Sequence, residues 1–200
     1  MLEYENKYYD KGYTLIAGVD EAGRGPLAGP VFAAAVVFEK GTFIEGINDS
    51  KKLSEKKREA LFDIICEKAL YYNIVSVDEK EIDRINILNA SLKAFELAVT
   101  GLEKLPDVTL IDGNRCKESF PTPYETIVKG DARSMSIAAA SILAKVSRDR
   151  YIVGLDSLYP EYNFKKHKGY PTKEHREAIA KYGPCPIHRL TFGGVREYVK

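Results

Sequence analysis

Hydrophobic residues recur along this chain in two rhythms, short continuous apolar runs and longer stretches at helical spacing. Residues 14–20 (TLIAGVD) and 31–38 (VFAAAVVF) are runs of strand length joined by the turn AGRGPLAGP, with three glycines and two prolines, which predicts two adjacent antiparallel strands. In residues 47–70 (INDSKKLSEKKREALFDIICEKAL), Leu61, Ile64, Ile65 and Ala69 recur at helical spacing. Ser54 can cap that helix, and Asp49 with Ser50 suits a turn or cap before it. A strand is expected at 71–77, then a helix at 88–102 with Leu88, Leu92, Phe95 and Val99 on one face. Further strands are expected at 108–112 (VTLID) and 124–128 (YETIV), and a long helix at 134–151. A last helix has Thr172 as its cap, Ala178, Ile179 and Tyr182 as its inner face, and Gly183 and Pro184 as its stop.

The long helix contains SIAAASILAKV, which is apolar on nearly every side and therefore belongs in a core. Its small residues permit close approach to a neighbour. No internal repeat, low-complexity tract or linker interrupts the pattern. The expected fold class is α/β, a mixed central sheet flanked by helices, in one domain over 1–200 with a basic helical segment from about residue 152.

At 200 residues and 44% hydrophobic, the chain can bury a full core. No apolar run reaches the roughly 18 residues of a membrane helix, and MLEYENKYYDKGY is too polar for a signal peptide, so a cytoplasmic protein is expected. Cys66, Cys116 and Cys185 have neither disulfide nor zinc spacing and read as free thiols. Charge changes the picture more. The first fifty residues hold 4 Lys/Arg against 8 Asp/Glu, a net of −4, and the last fifty hold 9 against 5, a net of +4. Acids that hold cations beside bases that hold a backbone suit an enzyme acting on a phosphate polymer.

Candidate chemistry begins at GVDEAGRG, residues 18–25, where Asp20 and Glu21 end an apolar run and meet a nearly bare turn. Asp112 follows VTLI and Asp131 follows IVKG, so four acids share a strand-end or helix-start setting. Strand ends on one sheet edge can bring them together. Adjacent strand residues face opposite sides, so Asp20 and Glu21 converge only through a bend, a bulge, or the length or backbone carbonyl of Glu21. Clustered carboxylates repel, and Mg²⁺ or Mn²⁺ would relieve that repulsion. Each acid also has an ordinary reading: Asp112-Gly113-Asn114 as a turn, Asp131 as a cap for the following helix.

VDEAGRGPLAGPV, NDSKKLSE, NILNASLKA, LIDGN, VKGDARSMSIAAASILAKVSRDR and HKGYPTKEH, in this order from about Ile16 to Phe192, resemble ribonuclease HII. The resemblance implies a ribonuclease H-like fold and a metal-dependent endonuclease. Its implied partners are RNA–DNA hybrids and duplex DNA containing single ribonucleotides, bound by a monomer. The family's four carboxylates, catalytic and metal-holding with two divalent cations, fall on Asp20, Glu21, Asp112 and Asp131. Its substrate-reading turn falls on Gly23, Arg24 and Gly25, and its sugar-stacking tyrosine on Tyr170, otherwise a packed aromatic. The expected reaction is in-line attack of water on the phosphate 5′ to a ribonucleotide, leaving a 5′-phosphate and a 3′-hydroxyl. Lys51, Lys52, Lys145, Arg148 and Lys168 are candidate phosphate contacts by charge and family block. His167, His175 and His188 form no metal spacing and read as structural. A nucleic-acid-binding module without catalysis, and a resolvase-type enzyme on the same fold, are the alternatives.

Overall fold

The structure is a computed structural model that describes residues 1–48 and 50–199; Asp49, the candidate cap or turn residue, and the side chain of Lys51 lie outside the described residues. Among the described residues, five strands form one mixed sheet: β1 (Ile16–Ala22), β2 (Val31–Val37), β3 (Tyr71–Val77), β4 (Val108–Asp112) and β5 (Tyr124–Ile127). Their order is β3-β2-β1-β4-β5. The first three strands form an antiparallel meander, whereas β4 lies parallel to both β1 and β5. Expected antiparallel pairing of the first two strands is therefore observed, and β1 runs two residues past Asp20.

Among the described residues, seven α-helices accompany the sheet: α1 (Glu3–Tyr9), α2 (Glu55–Lys68), α3 (Glu79–Ile85), α4 (Ile87–Thr100), α5 (Met135–Gly154), α6 (Phe164–His167) and α7 (Lys173–Tyr182). The expected caps Ser54 and Thr172 are present, and Ser134 supplies a third. Ser54 Oγ accepts from the Lys57 amide at 3.3 Å, Ser134 Oγ from the Ile137 amide at 3.2 Å, and Thr172 Oγ1 from the His175 amide at 3.2 Å. The cap of α5 is thus Ser134, not Asp131. Two inner-face assignments need correction. Ile64 is 37% exposed because Leu61 and Ile65 already point inward, and Tyr182 is 52% exposed because Tyr162 occupies the interior beside it. Helices α1, α3 and α6 are too short for a periodic signal to stand out.

Alternation along the central strands sorts the core into two layers. Ala17, Val19, Ala33 and Ala35 face α4 and pack with Ala94, Phe95 and Ala98. Ala34 and Val36 face α5 and α2, packing with Ala138, Ile142, Leu61 and Ile65. The expected burial of the long helix is observed: Ile137 to Ala144 are all buried. Gly18 lies on the α5 side, where an added Cβ would overlap the backbone carbon of Ser136 and the amide nitrogen of Ile137. Helix and strand thus touch through their backbones, which only glycine permits. A separate cluster of Leu27, Ile152, Tyr162, Phe164, Ile179, Ile187 and Val195 anchors the C-terminal third to α5. No helix among the described residues is long and apolar enough to cross a membrane.

Candidate active site

Parallel pairing of β1 with β4, with Val19 opposite Ile111, brings Asp20 and Asp112 to the same edge of the sheet. Asp20 is 4% exposed and accepts the Glu21 amide at 2.7 Å. The strand stays regular there, with Asp20 opposite Ala34 and Glu21 opposite Ala33, so the bend or bulge considered above is absent. Asp20 consequently lies on the α5 side with Ser141 and Glu21 on the α4 side; the charge of Asp112 acts on both, and Glu21 and Asp112 line one cavity.

Burial is the main force on these acids, with mutual repulsion added. Burial raises Asp20 well above the usual carboxylate range, the charges of Glu21 and Asp112 raise it further, and the Ser141 hydroxyl and Glu21 amide oppose them. Glu21 is raised by burial and by Asp112, against the pull of Arg24, whose Nη1 stands 3.5 Å from Glu21 Oε1. Asp112 Oδ1 accepts the Gly130 amide at 2.7 Å. That bond ties β4 to the turn Gly130–Ala132, in which Asp131 is 6% exposed. Hard oxygen donors crowded together, with Arg24 beside Glu21, fit Mg²⁺ or Mn²⁺. Among the described residues no group of three or more Asp, Glu, His or Cys is placed to hold a metal ion.

Beside the acids opens a cavity of about 400 Å³, lined by Glu21, Arg24, Asp112, Gly113, Asn114 and Arg115 with an apolar wall from α4. Leu88, Leu92 and Phe95 of that wall were legible only as helix-face residues, and Ser91 beside them was not singled out. The bare turn comes next. Gly23 adopts φ +100°, and a Cβ there would overlap the Arg148 side chain. Gly25 sits beside Tyr170, whose Cε1 is 3.9 Å from where a Cβ would lie, and Tyr170 is 38% exposed. The two candidate sugar-reading elements therefore adjoin.

The candidate phosphate contacts separate. Arg148 must be withdrawn: it is fully buried, and its three nitrogens donate to the carbonyls of Pro30 (3.3 Å), Lys168 (3.1 Å) and Ala28 (3.1 Å). Lys145 pairs with Asp149 at 2.8 Å, its Nζ 5.4 Å above the Tyr170 ring. Lys168 Nζ donates to the Lys165 carbonyl at 2.7 Å. Lys52 is exposed on the turn Ser50–Lys52, and Ser50 Oγ lies 2.9 Å from Ser141 Oγ, linking that turn to the neighbour of Asp20.

Residues 17–195 match the family model of ribonuclease HII. The chain belongs to the ribonuclease HII family. It is 58% identical over 192 residues to a ribonuclease HII of Acetivibrio thermocellus, covering 96% of this chain and 75% of that one. A ribonuclease HII of Caldicellulosiruptor bescii is 56% identical over 190 residues, with coverage of 95% and 92%. Among solved structures, ribonuclease H2 from Pyrococcus horikoshii superimposes with a TM-score of 0.77 at 31% identity, covering 92% of this chain and 96% of that one. The sheet and its helices are therefore the ribonuclease H-like α/β fold, and the protein is a ribonuclease H-type nuclease, a hydrolase.

Proposed function

We propose that this ribonuclease HII is a metal-dependent endonuclease that cuts the RNA strand of RNA–DNA hybrids and nicks duplex DNA 5′ to single ribonucleotides. The observation that carries the proposal is the meeting, at one sheet edge, of crowded and under-compensated carboxylates with a bare glycine turn flanked by an exposed tyrosine. Asp20, Glu21, Asp112 and Asp131 would hold Mg²⁺ or Mn²⁺, which when bound supplies charge stabilisation and a more acidic water. Ser141 and the Glu21 amide hold the Asp20 carboxylate in place from the α5 side. Backbone groups of Gly23, Arg24 and Gly25 would hydrogen-bond the 2′-hydroxyl that distinguishes RNA from DNA, and Tyr170 would stack on the next sugar. Lys52, Lys145 and Lys168 are proposed phosphate contacts, and Lys51 remains one by its family block. Each would add to salt dependence without adding sequence preference. The products would be a 5′-phosphate and a 3′-hydroxyl.

The test is purified protein incubated with a duplex carrying one ribonucleotide and with its all-DNA counterpart, with Mg²⁺ or Mn²⁺. A single nick 5′ to the ribonucleotide and none in the control is expected. Binding without nicking, or equal nicking of both, would overturn the proposal.

A further inference from the structure

Two arginines that no part of the reaction uses lie wholly buried behind the glycine turn. Arg189 Nε donates to the Gly29 carbonyl at 2.9 Å, Nη1 to Arg24 at 3.0 Å and Nη2 to Gly23 at 2.6 Å. Arg148 adds the carbonyls of Ala28 and Pro30 and, through Lys168, the loop that carries Tyr170. Between them, the two guanidinia bind five carbonyls of the turn at residues 23–30, and all six of their hydrogen bonds end on backbone oxygen. Resting on the reading that this turn tests the sugar, we infer that Arg189 and Arg148 are positioning residues for substrate discrimination, holding the turn in register with Tyr170.

Chemistry favours this assignment. Two guanidinia side by side in a core, with no ion pair to either among the described residues, are costly, and burial together with the charge of Arg148 pulls Arg189 down to about 9. An apolar residue would fill the space without that cost. What an apolar residue or a lysine cannot do is reach three diverging carbonyls at once, which the rigid fork of an arginine does. With the carbonyls of Gly23 and Arg24 held by Arg189, those acceptors are engaged, and hydrogen bonds from the turn to a sugar hydroxyl would fall to its amides. The backbone of the turn is also pinned from the C-terminal segment, because Leu27 donates to Gly169 at 2.8 Å, Gly29 to Ile187 at 2.8 Å, and Arg189 itself to Leu27 at 2.9 Å. Those amide bonds fix where the turn sits. The guanidinia fix how its carbonyls are oriented.

Arg189→Lys, which keeps the charge but loses the fork, is tested against wild type by steady-state cleavage of the single-ribonucleotide duplex and by thermal unfolding. The expected result is a KM raised about tenfold or more with kcat changed much less, since small misplacement of a reading group is costly. A lower melting temperature with KM and kcat unchanged per folded molecule would overturn the inference. Arg148→Lys is the parallel variant, and failure of both to fold would return the pair to a purely structural role and overturn it equally. Wild-type protein that does not distinguish ribonucleotide from all-DNA duplex would instead remove the proposed function on which the inference rests.

Discussion

Acidification should unfold this protein from its C-terminal third, because three buried histidines there form a chain with room for one proton each. Cys185 donates its amide to His188 Nδ1 at 2.9 Å, so His188 Nε2 carries the proton and donates to His175 Nε2 at 3.0 Å. His175 must then donate from Nδ1 to the Tyr170 carbonyl at 2.9 Å. Beside it His167, stacked at 4.4 Å, accepts the Gly169 amide at Nδ1 and donates from Nε2 to Tyr162. A proton added at His175 Nε2 would face the His188 proton directly. Burial first, then the neighbouring histidines, lowers both His175 and His188 from 6.5 to about 4. The unfolded chain binds more protons between those limits, so stability is complete above about pH 6.5 and falls toward pH 4. One such group, lowered from 6.5 to about 4, removes roughly 3 kcal/mol over the window. The two rings share one contact, so their effects are not doubled. Asp20 and Glu21, both raised by burial, act with the opposite sign: their folded forms take up a proton first and gain stability as pH falls. The measurement is therefore thermal unfolding by circular dichroism from pH 7 to pH 4 in the Asp20→Asn, Glu21→Gln background without divalent metal. A drop in melting temperature of about 5 to 15 °C is expected for a chain of this size. A flat profile, or histidine NMR signals titrating near pH 6.5, would refute the proton-chain argument.

Asp20→Asn is expected to abolish cleavage while binding of the ribonucleotide duplex, followed by fluorescence anisotropy, is kept. Without metal it should also raise the melting temperature, because a buried, repelled charge is gone; a lower one would contradict the crowding of the acids. Gly18→Ala forces a methyl into the backbone of α5, so urea unfolding should show a loss of about 3 kcal/mol, and an unchanged midpoint would disprove the close approach. Tyr170→Ala should cost less than about 1 kcal/mol of stability, given its exposure, yet slow cleavage at the ribonucleotide about tenfold or more. An unchanged rate would take Tyr170 out of the site.

Much of this architecture is legible because apolar runs and caps are local signals. The strand at 71–77, the strand at 108–112 and the caps Ser54 and Thr172 stand where the pattern puts them. The acids are legible for the same reason, each following an apolar run. Their relation across the strand is not, because a sequence shows the order of Asp20 and Glu21 but not which face each joins. Arg148 illustrates a second limit: basic residues on a helix resemble solvent-facing ones until the carbonyls they bind, up to 120 positions away, come into view. Arg189, at the far end of the chain from the turn it grips, gave no local sign at all. The histidines, 8 and 13 residues apart, likewise become a chain only when α6, α7 and the following loop stack.

That Asp20 and Glu21 leave the same strand on opposite faces has a consequence for how such an enzyme can change. Each acid takes its surroundings from a different helix layer, Ser141 of α5 for one and Ser91 and Phe95 of α4 for the other. Substitutions in one layer therefore act directly on one carboxylate and reach its neighbour only through the charge the two share. A centre built on the seam between two cores has two adjustment screws, linked by charge, where one sunk into a single core would have one.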